Sequence, residues 1–200
     1  MAKADWIKTT PSQGSGNSEV QVSSVSEHTG RMARQSVLTF KAANVADVSR
    51  TVIQAGKPEY VDIQDAMAVD KNGKTVTITG ESNSRKLTFT LGTGDLAITL
   101  PTSYLANSLT TSNGANITGD PGAAAVYPFS IQLVVPSNDS TEPKTRQLIV
   151  EDEAGSTDVC AITLAGSDAY LTVTFGDINL DYVGTPVTIN VESNTTWTIE

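Results

Sequence analysis

Val76-Thr-Ile-Thr-Gly-Glu-Ser-Asn83 recurs near the end of the chain as Val187-Thr-Ile-Asn-Val-Glu-Ser-Asn194, with six of the eight positions identical. Within the first copy Val76 and Ile78 fall on one face of an extended chain, and Thr75, Thr77 and Thr79 on the other. That period of two is the mark of a half-buried strand. Upstream, Asp70-Lys-Asn-Gly73 is a hairpin signal, because Asn-Gly accepts the positive φ values that tight turns require. The stretch is therefore a strand entered from a turn, and its repetition predicts a repeated β unit.

Other matches share nearly the same spacing. Tyr60-Val-Asp-Ile63 matches Tyr170-Leu-Thr-Val173, and Val52-Ile-Gln-Ala-Gly56 matches Ile162-Thr-Leu-Ala-Gly166. Arg34-Gln-Ser-Val-Leu38 matches Arg146-Gln-Leu-Ile-Val150, and Trp6-Ile7 is aligned with Trp197-Thr198 in the unit. A period of about 110 residues is the size of an immunoglobulin-like sandwich. Further short alternating runs at Val20–Val22, Ser36–Phe40, Lys86–Leu91, Ala97–Leu100, Tyr127–Val135, Thr145–Val150 and Val159–Leu164 lie between turn-rich segments. The fold class expected is all-β, a tandem of immunoglobulin-like β-sandwich domains. Residues 102–125, rich in Ser, Thr, Asn and Gly, are expected to be a long loop, and Ala42–Val48 could form a single helical turn.

The phase of the repeat divides the chain. Residues 58–167 hold a complete unit. Residues 1–57 hold a unit without its first strands, and residues 168–200 hold the opening strands of a third. Either the sequence is a window on a longer array, or residues 168–200 complete the first unit of a neighbouring subunit by strand complementation.

Composition limits the function classes. The chain has 200 residues, 38% of them hydrophobic and 18% charged, with a formal net charge of -9. Such a field repels nucleic acid and anionic membrane surfaces. No run approaches the roughly 18 apolar residues of a membrane span. Met-Ala-Lys-Ala-Asp-Trp6 lacks an apolar leader core, so synthesis without general export is expected. Cys160, the single cysteine, lies in the apolar run Val159–Leu164 and reads as a small core residue. His28 is the only histidine; with no partner motif, it reads as a solvated loop residue. Asp70 and Asn72 resemble a calcium loop only in part, since no bidentate Glu follows. Asp177 and Asp181 read as acidic surface. No catalytic residue, cofactor site or metal site is expected.

The order of strand, Glu-Ser-Asn bend, Trp, Gly-rich loop, Arg-Gln strand and closing Gln-Ala-Gly resembles the BACON domain, an Ig-like sandwich common in Bacteroidetes. Val187-Thr-Ile, Ser193-Asn194, Trp197, Arg34 and Val52–Gly56 carry the resemblance, which covers nearly the whole chain. The middle unit departs from it at Lys86 or Leu87, where the Trp is expected, and at Leu164, in place of the closing Gln. The resemblance implies one of two settings. One is a virion protein of crAss-like phages, a capsid decoration or a fibre or tail component. It would be assembled in the host cytoplasm, with other virion proteins or copies of itself as partners, and would be a homo-oligomer. The other is a carbohydrate-binding module of a bacterial surface or secreted protein. Absence of a leader favours the virion. Tyr104, Asn113, Tyr127 and Tyr182 are the candidates for glycan or partner contacts, and Trp6 and Trp197 are expected as core pins.

Overall fold

The computed structural model describes residues 3–174 and 176–200. It is all-β, apart from one 3₁₀ turn at Pro121–Ala123. The strands are β1 (Ile7–Thr10), β2 (Gln21–Ser24), β3 (Arg34–Phe40), β4 (Val48–Gln54), β5 (Val61–Ile63), β6 (Ala66–Val69), β7 (Lys74–Ser82) and β8 (Leu87–Gly94). They continue as β9 (Ser103–Ala106), β10 (Leu109–Ser112), β11 (Tyr127–Val135), β12 (Lys144–Asp152), β13 (Thr157–Leu164), β14 (Leu171–Val173) and β15 (Val191–Ser193).

Residues 58–167 form two sheets around one apolar cluster. One sheet has the order β10-β9-β11-β7-β5, the other β6-β13-β12-β8. Alternation explains which side chains enter the cluster. Along β11, Tyr127, Phe129, Ile131, Leu133 and Val135 are buried, while Pro128, Gln132 and Val134 face out. Val76 and Ile78 of β7 meet them, and Leu148, Val150, Cys160, Ile162 and Leu164 close the cluster from the second sheet. Phe89 lies at its centre, with the rings of Tyr104 and Phe129 at centroid distances of 4.9 and 5.8 Å. Cys160 is fully buried, and burial pushes its thiol up to about 11, as a core position dictates.

The chain changes sheets at Gln64–Asp65. Ile63 N–H donates to Asp158 Oδ2 at 2.7 Å, and Ala161 N–H to the Asp65 carbonyl at 2.8 Å. This delivers β6 to the edge of β13, where it pairs in parallel, Ile162 opposite Met67 and Leu164 opposite Val69. Alternation in the sequence does not single out β6, since so short a strand is too brief to reveal a period. Conversely, Ala97–Leu100 joins no ladder. The Asp70–Gly73 turn forms as expected: Gly73 has φ 67°, and its N–H donates to the Asp70 carbonyl at 3.0 Å.

The flanking segments reuse pieces of this plan. β14 pairs with β15 in the register of β5 with β7, Leu171–Ser193 corresponding to Val61–Ser82. β3 and β4 correspond to β12 and β13. Arg34 lies opposite Gln54 and Lys144 opposite Leu164, so the two pairs hold equivalent places in successive units. Hydrogen bonding thus aligns Arg34 with Lys144 and not with Arg146, a correction of the sequence alignment that preserves the face. Ala42–Val48 is a turn with Asn44 at φ 62°, not a helical turn.

Candidate functional site

The motif that repeats in sequence builds the same joint twice in space. After β7 the chain bends at Ser82-Asn83-Ser84, all fully buried. Asn83 Oδ1 accepts the Tyr60 N–H at 3.0 Å. Its Nδ2 donates toward the carbonyls of Thr29, Lys57 and Pro58 at 3.3, 3.3 and 3.1 Å. One amide therefore ties the end of the first segment, the connection and the first strand of the middle unit together. Ser82 Oγ donates to the Tyr60 carbonyl at 2.7 Å and accepts the Ser84 N–H at 2.9 Å, which holds the bend.

Asn194 repeats these bonds. Its Oδ1 accepts the Tyr170 N–H at 3.0 Å, and its Nδ2 donates to the carbonyls of Asp139 and Asp168 at 3.1 and 2.9 Å. Ser193 Oγ donates to the Tyr170 carbonyl at 2.9 Å. Glycine is required beneath each joint for close approach. A Cβ on Gly56 would lie 2.0 Å from the Arg31 carbonyl oxygen, and one on Gly166 the same distance from that of Thr141. Next to each glycine a buried side chain ties the same loop. Asn138 Nδ2 donates to the Glu142 carbonyl at 2.8 Å; at the equivalent place one unit earlier, His28 Nε2 donates to the Met32 carbonyl at 2.7 Å. His28 is buried, which corrects the expectation of a solvated histidine: it occupies the position that Asn138 holds in the middle unit.

The first joint carries a bidentate arginine lock, where the second has a single lysine pair. Arg31 Nη1 donates to Asp120 Oδ1 at 2.6 Å and to the Asn83 carbonyl at 3.2 Å, and Nη2 pairs with Asp120 Oδ2. Glu59 lies 3.3 Å from Arg31 Nε. The bidentate guanidinium holds the Asp120 carboxyl below the usual carboxylate range, and Asp120 in turn raises Arg31. Backbone bonds from Arg31 to Gly122 and from Met32 to Ala123 dock the first segment on this loop. At the second joint Lys71 pairs with an exposed Asp168.

These contacts revise the sequence-derived site. Residues 102–125 are not a free loop: they contain the β9–β10 hairpin and the docking turn. Tyr104 and Tyr127 are core residues, 3% and 2% exposed, and so are not glycan contacts. Burial pushes the Tyr104 phenol up to about 12 and raises Tyr127 as well, whose hydroxyl donates to the Ser84 carbonyl at 2.8 Å. Asn113 is spent on backbone, accepting the Phe89 N–H at 2.7 Å and donating to the Phe89 carbonyl at 2.9 Å. Tyr182 is fully exposed. Neither tryptophan is a core pin. Trp6 is half-buried beneath the Arg34 guanidinium at 4.8 Å, and Trp197 is 45% exposed. Sequence reasoning does not single out Asn83 as a clamp, although recurrence of Glu-Ser-Asn in both copies is the signal for it.

Among the described residues, no group of His, Cys, Asp and Glu is placed to hold a metal ion, and no helix is long and apolar enough to cross a membrane. No family of known proteins matches the chain, and no curated protein matches it as a relative.

Proposed function

We propose that this chain is a non-enzymatic structural protein of a bacteriophage particle, a capsid decoration or a fibre or tail component, built from tandem Ig-like units of the BACON type. The observation that carries the reading is the joint itself. The same Ser-Asn clamp, close-packed glycine and loop tie join successive units twice along the chain, by side chain-to-backbone bonds. Repetition of a bonded joint sets a constant relation between neighbours, as in quasi-one-dimensional arrays. Such an array suits a scaffold that presents surfaces to other virion proteins or to copies of itself. Assembly in the host cytoplasm and a homo-oligomeric state belong to the same proposal. The carbohydrate-binding reading is the weaker one, because two of its three tyrosines lie in the core.

Mass spectrometry of purified particles from cultures carrying the gene tests the proposal. The expected result is this chain as a stoichiometric component that resists high-salt washing. Recovery only from the cell envelope or medium, with none on particles, overturns it.

A further inference from the structure

The chain holds two Asn-Gly pairs, Asn72-Gly73 and Asn113-Gly114. Such a pair carries its own chemistry. Glycine has no Cβ, so its backbone nitrogen can reach the carboxamide of the residue before it. That nitrogen loses its proton and bonds to the asparagine Cγ; the Cγ–Nδ2 bond breaks, and ammonia leaves with the proton. Water then opens the succinimide ring at one of its two carbonyls, giving aspartate or isoaspartate. Nothing is oxidised or reduced, and water is the only co-reactant.

The fold treats the two pairs differently. Asn113 is half-buried and its amide is held at both ends, Oδ1 accepting the Phe89 N–H at 2.7 Å and Nδ2 donating to the Phe89 carbonyl at 2.9 Å. Asn72 is exposed, and among the described residues only its backbone N–H is bonded, to Asp70 Oδ1 at 2.9 Å. The glycine nitrogens do not separate the pairs: Gly73 N–H donates to the Asp70 carbonyl at 3.0 Å and Gly114 N–H to the Leu87 carbonyl at 3.1 Å. Freedom of the side chain is what differs. Nor does the turn need an asparagine. The third unit makes the same turn with Val183 in that place: Val183 N–H donates to Asp181 Oδ1 at 3.1 Å, and Gly184 has φ 74° against 67° at Gly73.

The turn also supports the second joint. The Lys71 carbonyl accepts the Asn138 N–H at 2.8 Å, and Asn138 Nδ2 donates to the Ala165 carbonyl at 3.1 Å. There is no slack at Gly73, where a Cβ would lie 2.4 Å from the Pro136 carbonyl oxygen. Isoaspartate routes the main chain through Cγ and so adds one carbon to it between the residue 72 Cα and the Gly73 nitrogen. A longer turn in this tight seat displaces Lys71 from Asn138.

We propose that Asn72 is a site of spontaneous deamidation, a slow self-modification of the folded chain whose isoaspartate product loosens the joint between the middle and third units. Asn113, the same dipeptide, is shielded by its bonds to Phe89.

Ageing the full chain in mildly alkaline buffer, with peptide mapping by mass spectrometry, tests this. Acid at position 72 should accumulate about thirtyfold faster than at position 113, where two hydrogen bonds of ordinary strength must open first. In urea the two rates should converge. Hydrogen exchange at the Asn138 amide should quicken as position 72 converts. Asn72→Val, which installs the residue that the third unit carries there, should age without that change. Equal rates at the two sites in the folded chain, no reaction at Asn72 while the urea sample reacts, or an Asn138 amide unaffected by conversion overturns the proposal. Each outcome is independent of whether the chain is found on particles.

Discussion

Leu38 and Leu148 hold the same place in successive units, on β3 and β12. Leu148 is fully buried, and Leu38, outside the cluster that holds Leu148, is 9% exposed. Of the buried apolar side chains among the described residues, twenty belong to the middle unit's cluster, while only Ile7 and Leu38 belong to residues 3–57. The strand programme is shared, yet one region has a core and the other has sheets with open faces. Strand formation is a local matter of alternation and turns. A core needs a second sheet, and in the middle unit that sheet comes from residues far along the chain, as Ile63 bonded to Asp158 illustrates.

The most severe way to break the comparison is to cut both leucines. Leu148→Ala should cost about 3–5 kcal/mol, because a closed cluster cannot collapse around the cavity. Leu38→Ala should cost about 1 kcal/mol, since its neighbours are open to water. Urea unfolding followed by tryptophan fluorescence and circular dichroism separates the two, and equal losses would show that the first segment has a core of its own. Second in size, Asn83→Ala should cost about 2–3 kcal/mol by leaving the Tyr60 N–H and three carbonyls without their partner. Asn194→Ala, at a solvent-exposed joint, should cost under about 1 kcal/mol. Hydrogen exchange at the Tyr60 and Tyr170 amides reads each joint directly.

Acid should divide the two joints by a smaller effect. Asp120 has its folded pKa lowered by Arg31, so its contribution is complete above the unfolded carboxylate value, near 3.9, and is lost as pH falls through the folded value. The first segment is therefore expected to loosen only below about pH 4. Limited proteolysis with an acid-active protease should detect cleavage near residues 57–59 there. Asp120→Asn should show that cleavage at neutral pH too. The smallest effect is expected of His28→Asn, which restores the side chain that position 138 already carries. Its unfolding free energy should change by less than about 0.5 kcal/mol, whereas His28→Ala loses a bond worth about 1 kcal/mol. A large loss for the asparagine variant would falsify the equivalence of His28 and Asn138.

Much of the fold was legible in residue order. Alternation over Lys74–Ser82 and Tyr127–Val135, the Asp-Lys-Asn-Gly turn and the matches one period apart identify strands that the structure contains. What misled was chemistry read without phase. Tyr104 and Tyr127 looked like stacking faces, yet each shares its strand face with an inward residue two positions on, Ala106 and Phe129, and so had to point into the core. Trp6 and Trp197 looked equivalent by neighbourhood, but their environments differ: one is covered by Arg34 and the other faces water.

The amino-acid order by itself determined the repeat, its period, most strands and the Ser-Asn bends, because each depends on residues within a few positions of one another. Burial of the repeat copies was decided only by tertiary structure. Val76 and Ile78 are enclosed by β11 and the second sheet, while Val187 in the second copy is 40% exposed, with no such sheet against it among the described residues. Identical residues thus acquire different energies, since apolar burial is a property of what lies opposite and not of the strand that carries the side chain.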